Sequence, residues 1–272
     1  MIIAGYLASL IIGISLGLIG GGGSILTVPV LVYLFGVEPV AATAYSLFIV
    51  GTTSLAGVLP KYKAGEVNLK TALIFGIPSI AAVFLTRKFI VPAIPEQLFT
   101  IGNLVITKAI LLMVLFAVLM VFASVSMIRK KKSGAVNNNP EKQVFNYPLI
   151  FIEGSVVGVL TGLVGAGGGF LIIPALVILS KLPMKQAVGT SLLIIAAKSL
   201  IGFTGDLGTL QINWELMLTV TGLAIIGIVA GNYLSKKIDG DKLKTGFGWF
   251  VLVMGIYILI KELFFAGGPA SH

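Results

Sequence analysis

Residues 109–128 read AILLMVLFAVLMVFASVSMI, twenty consecutive positions without a charge. A run of about 20 apolar residues is what a helix needs to cross a hydrocarbon core roughly 30 Å thick. Inside such a core only a helix or a closed barrel satisfies its own backbone. Phe247–Ile260 is likewise uncharged. The chain is 57% hydrophobic and 11% charged, against roughly 25% charged in a soluble domain. These runs therefore belong to a polytopic, all-α membrane protein, multi-pass in the lipid bilayer.

Ten apolar segments can be drawn, at roughly 2–19, 24–36, 40–59, 69–91, 100–128, 148–165, 169–180, 186–204, 214–235 and 246–265. The first has no basic n-region and is too long for a signal core, so it reads as part of the mature protein. Segments 24–36 and 169–180 are short. At 1.5 Å per residue, 13 residues reach only about 20 Å. Each follows a glycine run, GLIGGGGSILTVPVL at 17–31 and GLVGAGGGFLIIPAL at 162–176. Helix, break and short helix then form a hairpin that stops part-way through the membrane.

The two runs are copies at an offset of 145 residues, and the same offset relates Ser46 to Ser191, Ser54 to Ser199 and Gly57 to Gly202. The chain reads as a first transmembrane repeat over 1–128, a polar linker over 129–147, a second repeat over 148–265 and a disordered tail over 266–272. Most of the 19 lysines and arginines fall in loops that alternate to one side, the cytoplasmic one by the positive-inside rule. That places the linker in the cytoplasm and both termini outside, with Arg87, Lys88, Lys108 and Lys261 on or near the outer face. Each repeat of about five segments crosses an odd number of times, so the second is inverted relative to the first. Inverted repeats with broken helices are the layout of secondary transporters. Non-helical backbone at membrane depth must face protein or a water-filled cavity. The Gly-broken hairpins are thus expected to meet at the repeat interface.

Several chemistries are excluded. There is no cysteine, and the single histidine is His272, the last residue. No deep carboxylate pair exists, and a Ser–Lys dyad of Lys198 with Ser199 or Ser191 would point its partners to different helix faces. An enzyme, a metal site and a cofactor are not expected. The net charge of +9 sits in inter-segment loops and does not indicate nucleic acid. A phosphate loop would need a preceding strand and a Lys-Ser/Thr pair, and neither run has them.

The glycine runs are candidate binding elements, because a helix starting after a break presents free N–H groups and a positive dipole end. Gly21, Gly22, Gly23 and Ser24 in one copy, and Gly167, Gly168 and Gly169 in the other, form the first set. The competing reading is close helix packing through glycine. Pro29 and Pro174 read as kinks that shape packing. Thr43, Tyr45, Ser46 and Thr53, with Thr190 and Ser191, supply hydroxyls that either line an anion pathway or bond within their helices. Lys198 lies some twelve residues into an apolar segment, where a charge marks a pathway or a partner. It could attract an anion, bond the break carbonyls, pair with Asp206 or snorkel to an interface. Glu153 and Asp206 are the candidates for coupling to a proton or sodium ion. With cationic groups inside and no acidic cluster, the cargo expected is an anion.

The two glycine motifs, the AVGTSL stretch at 187–192 and the two-repeat layout resemble the sulfite exporter TauE/SafE family, also called the toluene sulfonate uptake permease family. The resemblance covers roughly residues 5–262. It implies a carrier of small sulfur oxyanions, such as sulfite or organosulfonates, in the bacterial cytoplasmic membrane, working by alternating access. An anion channel, or a carrier of another small organic anion, remains the alternative, and a homodimer is one option for assembly. The chain departs from the pattern at ATAYSL (42–47), where Tyr45 stands in place of a threonine and would narrow or gate the site, or supply a phenolic donor.

Overall fold

The computed structural model describes residues 2–101, 104–128, 147–178, 182–208, 210–235 and 240–264. Helix α1 (Ile2–Ile19) leads through a 3-10 turn (Gly21–Leu26) into α2 (Thr27–Tyr33). Then come α3 (Pro39–Lys63), α4 (Leu69–Leu85), a π-helical turn (Thr86–Ile90), α5 (Val91–Ala93), β1 (Gln97–Ile101), β2 (Leu104–Thr107) and α6 (Lys108–Ile128). The second half holds α7 (Tyr147–Val164), α8 (Gly169–Ile178), α9 (Met184–Thr204), α10 (Trp214–Leu234) and α11 (Gly240–Phe264). Among the described residues seven helices are long and apolar enough to span a membrane. The linker over 129–147 lies outside the described residues except for Tyr147, as does the tail over 266–272.

Two expected boundaries differ. The segment drawn over 100–128 is divided: β1 and β2 pair antiparallel, with Thr100 opposite Val105, and α6 begins only at Lys108. Thr100, Val105, Ile106 and Thr107 are β-branched and suit a strand. Hydropathy alone does not separate them from the helix that follows. The short helix expected from about Ser24 starts instead at Thr27, because the glycines before it wind as a 3-10 turn. Glycine is a weak α-helix former, and the tighter turn lets the Ser24 hydroxyl donate to the Gly21 carbonyl at 2.7 Å.

The helix starts follow the 145-residue offset closely: α1 and α7 at 2 and 147, α3 and α9 at 39 and 184, α4 and α10 at 69 and 214. Local capping explains the last pair. The side chain of Asn68 accepts from Thr71 N at 3.0 Å, and that of Asn213 accepts from Leu216 N at 3.1 Å. Such caps satisfy N–H groups left over in the first turn.

Packing exchanges partners between the halves. Helix α1 lies along α10, where Gly13 meets Ala224 and Gly17 meets Gly231. Helix α7 lies along α4 in the same manner, with Gly158 on Ser79 and Gly162 on Val83 and Thr86. Small residues one turn apart let such backbones approach closely. The counterparts α3 and α9 pack on each other antiparallel, Gly51 against Leu200, Gly57 facing Leu192 and Gly202 facing Leu47. Helices α6 and α11 do likewise, Gly248 against Ile128 and Gly255 against Met120. Leu16, Val28, Leu31, Leu47 and Ile228 fill the interior, while Ile3, Leu73, Ile77, Val229 and Val253 are exposed, as lipid-facing positions are.

Candidate functional site

The site grows from the meeting of the two glycine breaks. A Cβ added at Gly21 would overlap the Cα of Gly169, and one added at Gly169 would overlap that of Gly21. Backbones in such contact leave no room for any side chain. Each break opens on a left-handed glycine, Gly20 at φ 77° and its counterpart Gly165 at φ 71°. L-residues with a Cβ adopt that conformation reluctantly. Gly20 rests on the side chain of Val188, and Gly165 rests on the backbone of Thr43.

Beyond this point the breaks part. In the second, Gly167 and Gly168 are also left-handed, and α8 starts at Gly169 as expected. A Cβ at Gly168 would meet Thr161 and the Nζ of Lys198. Lys198 is fully buried and its Nζ donates to Thr161 Oγ1 at 3.0 Å. No carboxylate of the described residues lies within 4.0 Å of that Nζ. Its ammonium stands against the break of α7 and α8 without a counter-ion among the described residues.

One residue later on α7, the carbonyl of Gly162 accepts from Arg87 Nη1 at 3.2 Å. Arg87 also donates from Nη1 to Thr43 Oγ1 at 2.9 Å and from Nε to Asp206 Oδ2 at 2.7 Å. Arg87, which the loop charges assign on or near the outer face, has a side chain with no solvent exposure. The π turn after α4 carries it, and such turns are frequent at functional sites. Its pairing with Asp206 offsets two charges that would each be costly alone. Lys198 thus pairs with Thr161 and Asp206 with Arg87, in place of the Lys198–Asp206 pair considered from sequence.

The remaining candidates divide clearly. Ser24 faces Gly167 across the junction, and Gly167 also meets Val50 and Ile195. Gly22 lies against Ile19, and Gly23 against Ser15 and Leu16 of α1. Thr43 joins the cluster through Arg87, with its own hydroxyl donating to Val40 O at 2.7 Å. Ser46 and Thr53 are buried with hydroxyls that have no hydrogen-bond partner among the described residues, whereas Ser191 donates to Val188 O at 2.8 Å. Glu153 is half-buried on α7, about two turns before Thr161.

Tyr45 and Thr190 sit elsewhere, in matching roles. The Tyr45 hydroxyl accepts from Asn213 N at 2.6 Å and donates to Gln211 O at 3.2 Å. Thr190 Oγ1 accepts from Asn68 N at 2.9 Å. Positions 45 and 190, like 68 and 213, are repeat counterparts, so each half clasps the capping residue of the other. Arg87 and Thr161 were not among the sequence candidates. The one hint was Asp206, an acid at the end of an apolar segment that needs a cation nearby.

These features define a polytopic helical membrane protein with buried cations gathered at a break in its helices. The chain belongs to the sulfite exporter TauE/SafE family, whose profile matches residues 5–258, and it is a membrane transporter. A protein of Xylella fastidiosa strain 9a5c, named "Probable membrane transporter protein", is 30% identical over 93% of this chain and 92% of its own length. YunE of Bacillus subtilis, which carries the same description, is 27% identical over 94% of this chain and 96% of its own length. No solved structure matches the chain.

Proposed function

We propose that this transporter carries a small sulfur-containing oxyanion or organosulfonate across the bacterial cytoplasmic membrane by alternating access. The observation that carries the reading is Lys198, a fully buried ammonium whose one hydrogen-bond partner among the described residues is Thr161 and which abuts Gly168 in the second break. A buried charge lacking a counter-ion calls for an anion. The family's designation as sulfite exporters supports the sulfur oxyanion class.

The repeats, 1–128 and 148–265 about the linker 129–147, are proposed to be inverted. Antiparallel packing of the counterparts α3 and α9 supports this, since counterparts related by a two-fold axis in the membrane plane run in opposite directions. The central linker is assigned to the cytoplasm and both termini to the outside. Gly21, Ser24, Thr43, Gly167, Gly168, Gly169 and Lys198 form the proposed substrate region, with Ser46 and Thr53 as further hydroxyl donors. Glu153 and Asp206 are the proposed coupling residues for a proton or sodium ion, and a homodimer is the proposed assembly.

The test is thermal stabilisation of the detergent-purified chain by sulfite, sulfate, thiosulfate, sulfoacetate, taurine, chloride and a carboxylate. A ligand at 100 times its dissociation constant adds about 2.7 kcal/mol. A shift confined to sulfur anions and lost in a well-folded Lys198→Met variant is the expected outcome. Unchanged binding in that variant would remove Lys198 from the site. Counterflow in proteoliposomes separates a carrier from an anion channel.

A further inference from the structure

Four charged side chains are buried among the described residues: Arg87, Lys108, Lys198 and Asp206. Lys108 has its own partner, Glu96, at 3.6 Å. The other three converge on two consecutive residues at the end of α7. Lys198 holds the Thr161 side chain, Arg87 holds the Gly162 carbonyl, and Asp206 holds Arg87. The charges there sum to a single positive one. Asp206 compensates the charge of Arg87, although the Nη2 of the guanidinium is buried without a hydrogen-bond partner among the described residues.

We infer that this site selects singly charged oxyanions, with Lys198 supplying the one uncompensated positive charge and Asp206 withholding Arg87 from the cargo. The inference rests on the anion-transporter reading above and adds the valence of the substrate. A monoanion such as a sulfonate leaves the buried cluster neutral, and its oxygens accept from Lys198 Nζ and the Thr161 hydroxyl. A dianion brings a second negative charge into the low-dielectric interior that already holds the Asp206 carboxylate, linked to Thr161 through Arg87 and Gly162, where desolvation and longer-range like-charge repulsion both oppose it. Arg87 is the specificity-determining residue of this scheme, and Asp206 is the positioning residue that compensates its charge.

Methanesulfonate and sulfate carry fixed charges of minus one and minus two near neutral pH, so they are the probes. Their affinities for the purified full chain are measured by calorimetry at constant ionic strength. In the natural sequence methanesulfonate is expected to bind more tightly by at least about tenfold. Asp206→Asn leaves the charge of Arg87 uncompensated and is expected to shift the ratio toward sulfate by about tenfold or more. Should that variant fail to fold, Arg87→Gln with Asp206→Asn removes both charges and is expected to keep the original preference, since Lys198 is untouched. Equal binding of the two probes by the natural sequence overturns the valence inference while leaving an anion transporter. So does an unshifted ratio in folded Asp206→Asn, or loss of methanesulfonate binding in the folded double variant. If no anion of any valence binds the natural sequence, the underlying reading falls as well.

Discussion

The breaks at Gly20–Gly23 and Gly165–Gly168 occupy matching places in a duplicated framework, and their surroundings have diverged in chemistry. Both open on a left-handed glycine and both lean on the counterpart segment of the other half, Val188 for one and Thr43 for the other. Around the second break stand Arg87, Asp206, Thr161 and Lys198. The first has Asn232, Lys61, Leu16 and Thr53 at the same four positions. Duplication supplies the close backbone approach, which glycine alone permits and which both halves need in order to interlock. Charge is a separate requirement. Each buried ion costs several kcal/mol to desolvate, and under the proposed anion-carrier function one anion needs only one cationic cradle. A charged set on both sides would double that cost without adding a second cargo position.

The largest effect that tests this contrast comes from the charged positions. Arg87→Met leaves Asp206 buried opposite an apolar side chain and is expected to lower stability by about 3–5 kcal/mol. At the matching position, Asn232→Leu removes a side-chain oxygen that is buried without a partner among the described residues. Its expected effect lies within about 1 kcal/mol, with stabilisation as the favoured sign. Thermal unfolding of the two variants in the same detergent gives the comparison. Equal losses would mean that the halves are alike in how they use these positions.

The glycines give an intermediate effect. Gly165→Ala must place a Cβ against the Thr43 backbone, which cannot turn aside, in a left-handed conformation. The expected loss is about 3 kcal/mol from overpacking and backbone strain together. Gly20→Ala has the same strain but meets the methyl of a valine side chain at 2.9 Å. A valine can shift or change rotamer, so about half that loss is expected. A larger loss at Gly20 would show that the first break, rather than the second, is the tighter joint.

Much of this framework was legible in sequence because duplication is itself a sequence property. The offset of 145 residues located the counterpart helices, and the glycine runs located the junction of Gly21 with Gly169. The charged cluster was not legible. Arg87 stands beside Lys88 at the end of an apolar segment, where counting basic residues assigns it to an interface. Its partner Asp206 is 119 residues away, and only packing of the α9 C-terminus over the π turn buries the pair. Tyr45 and Thr190 illustrate the other limit. Composition marks their hydroxyls as available, but the direction of a hydroxyl depends on the neighbouring helix, and here it points to a capping residue of the opposite half.

That clasp yields the smallest expected effect and the finest test of the comparison. Tyr45→Phe leaves Asn213 N without its acceptor, and Thr190→Val does the same to Asn68 N, each at a cost of about 1 kcal/mol. Their phenol and hydroxyl differ in size, yet both accept from the residue that caps the following helix in the other half, so matched losses are expected. Hydrogen exchange at Asn68 and Asn213 reads the two clasps separately from global unfolding. Faster exchange at Asn213 in Tyr45→Phe and at Asn68 in Thr190→Val, each confined to the half that carries the donor, would show that the halves are locked by reciprocal bonds of similar strength. Loosening at one site alone would extend the divergence of the two halves from their charges to their mechanical coupling.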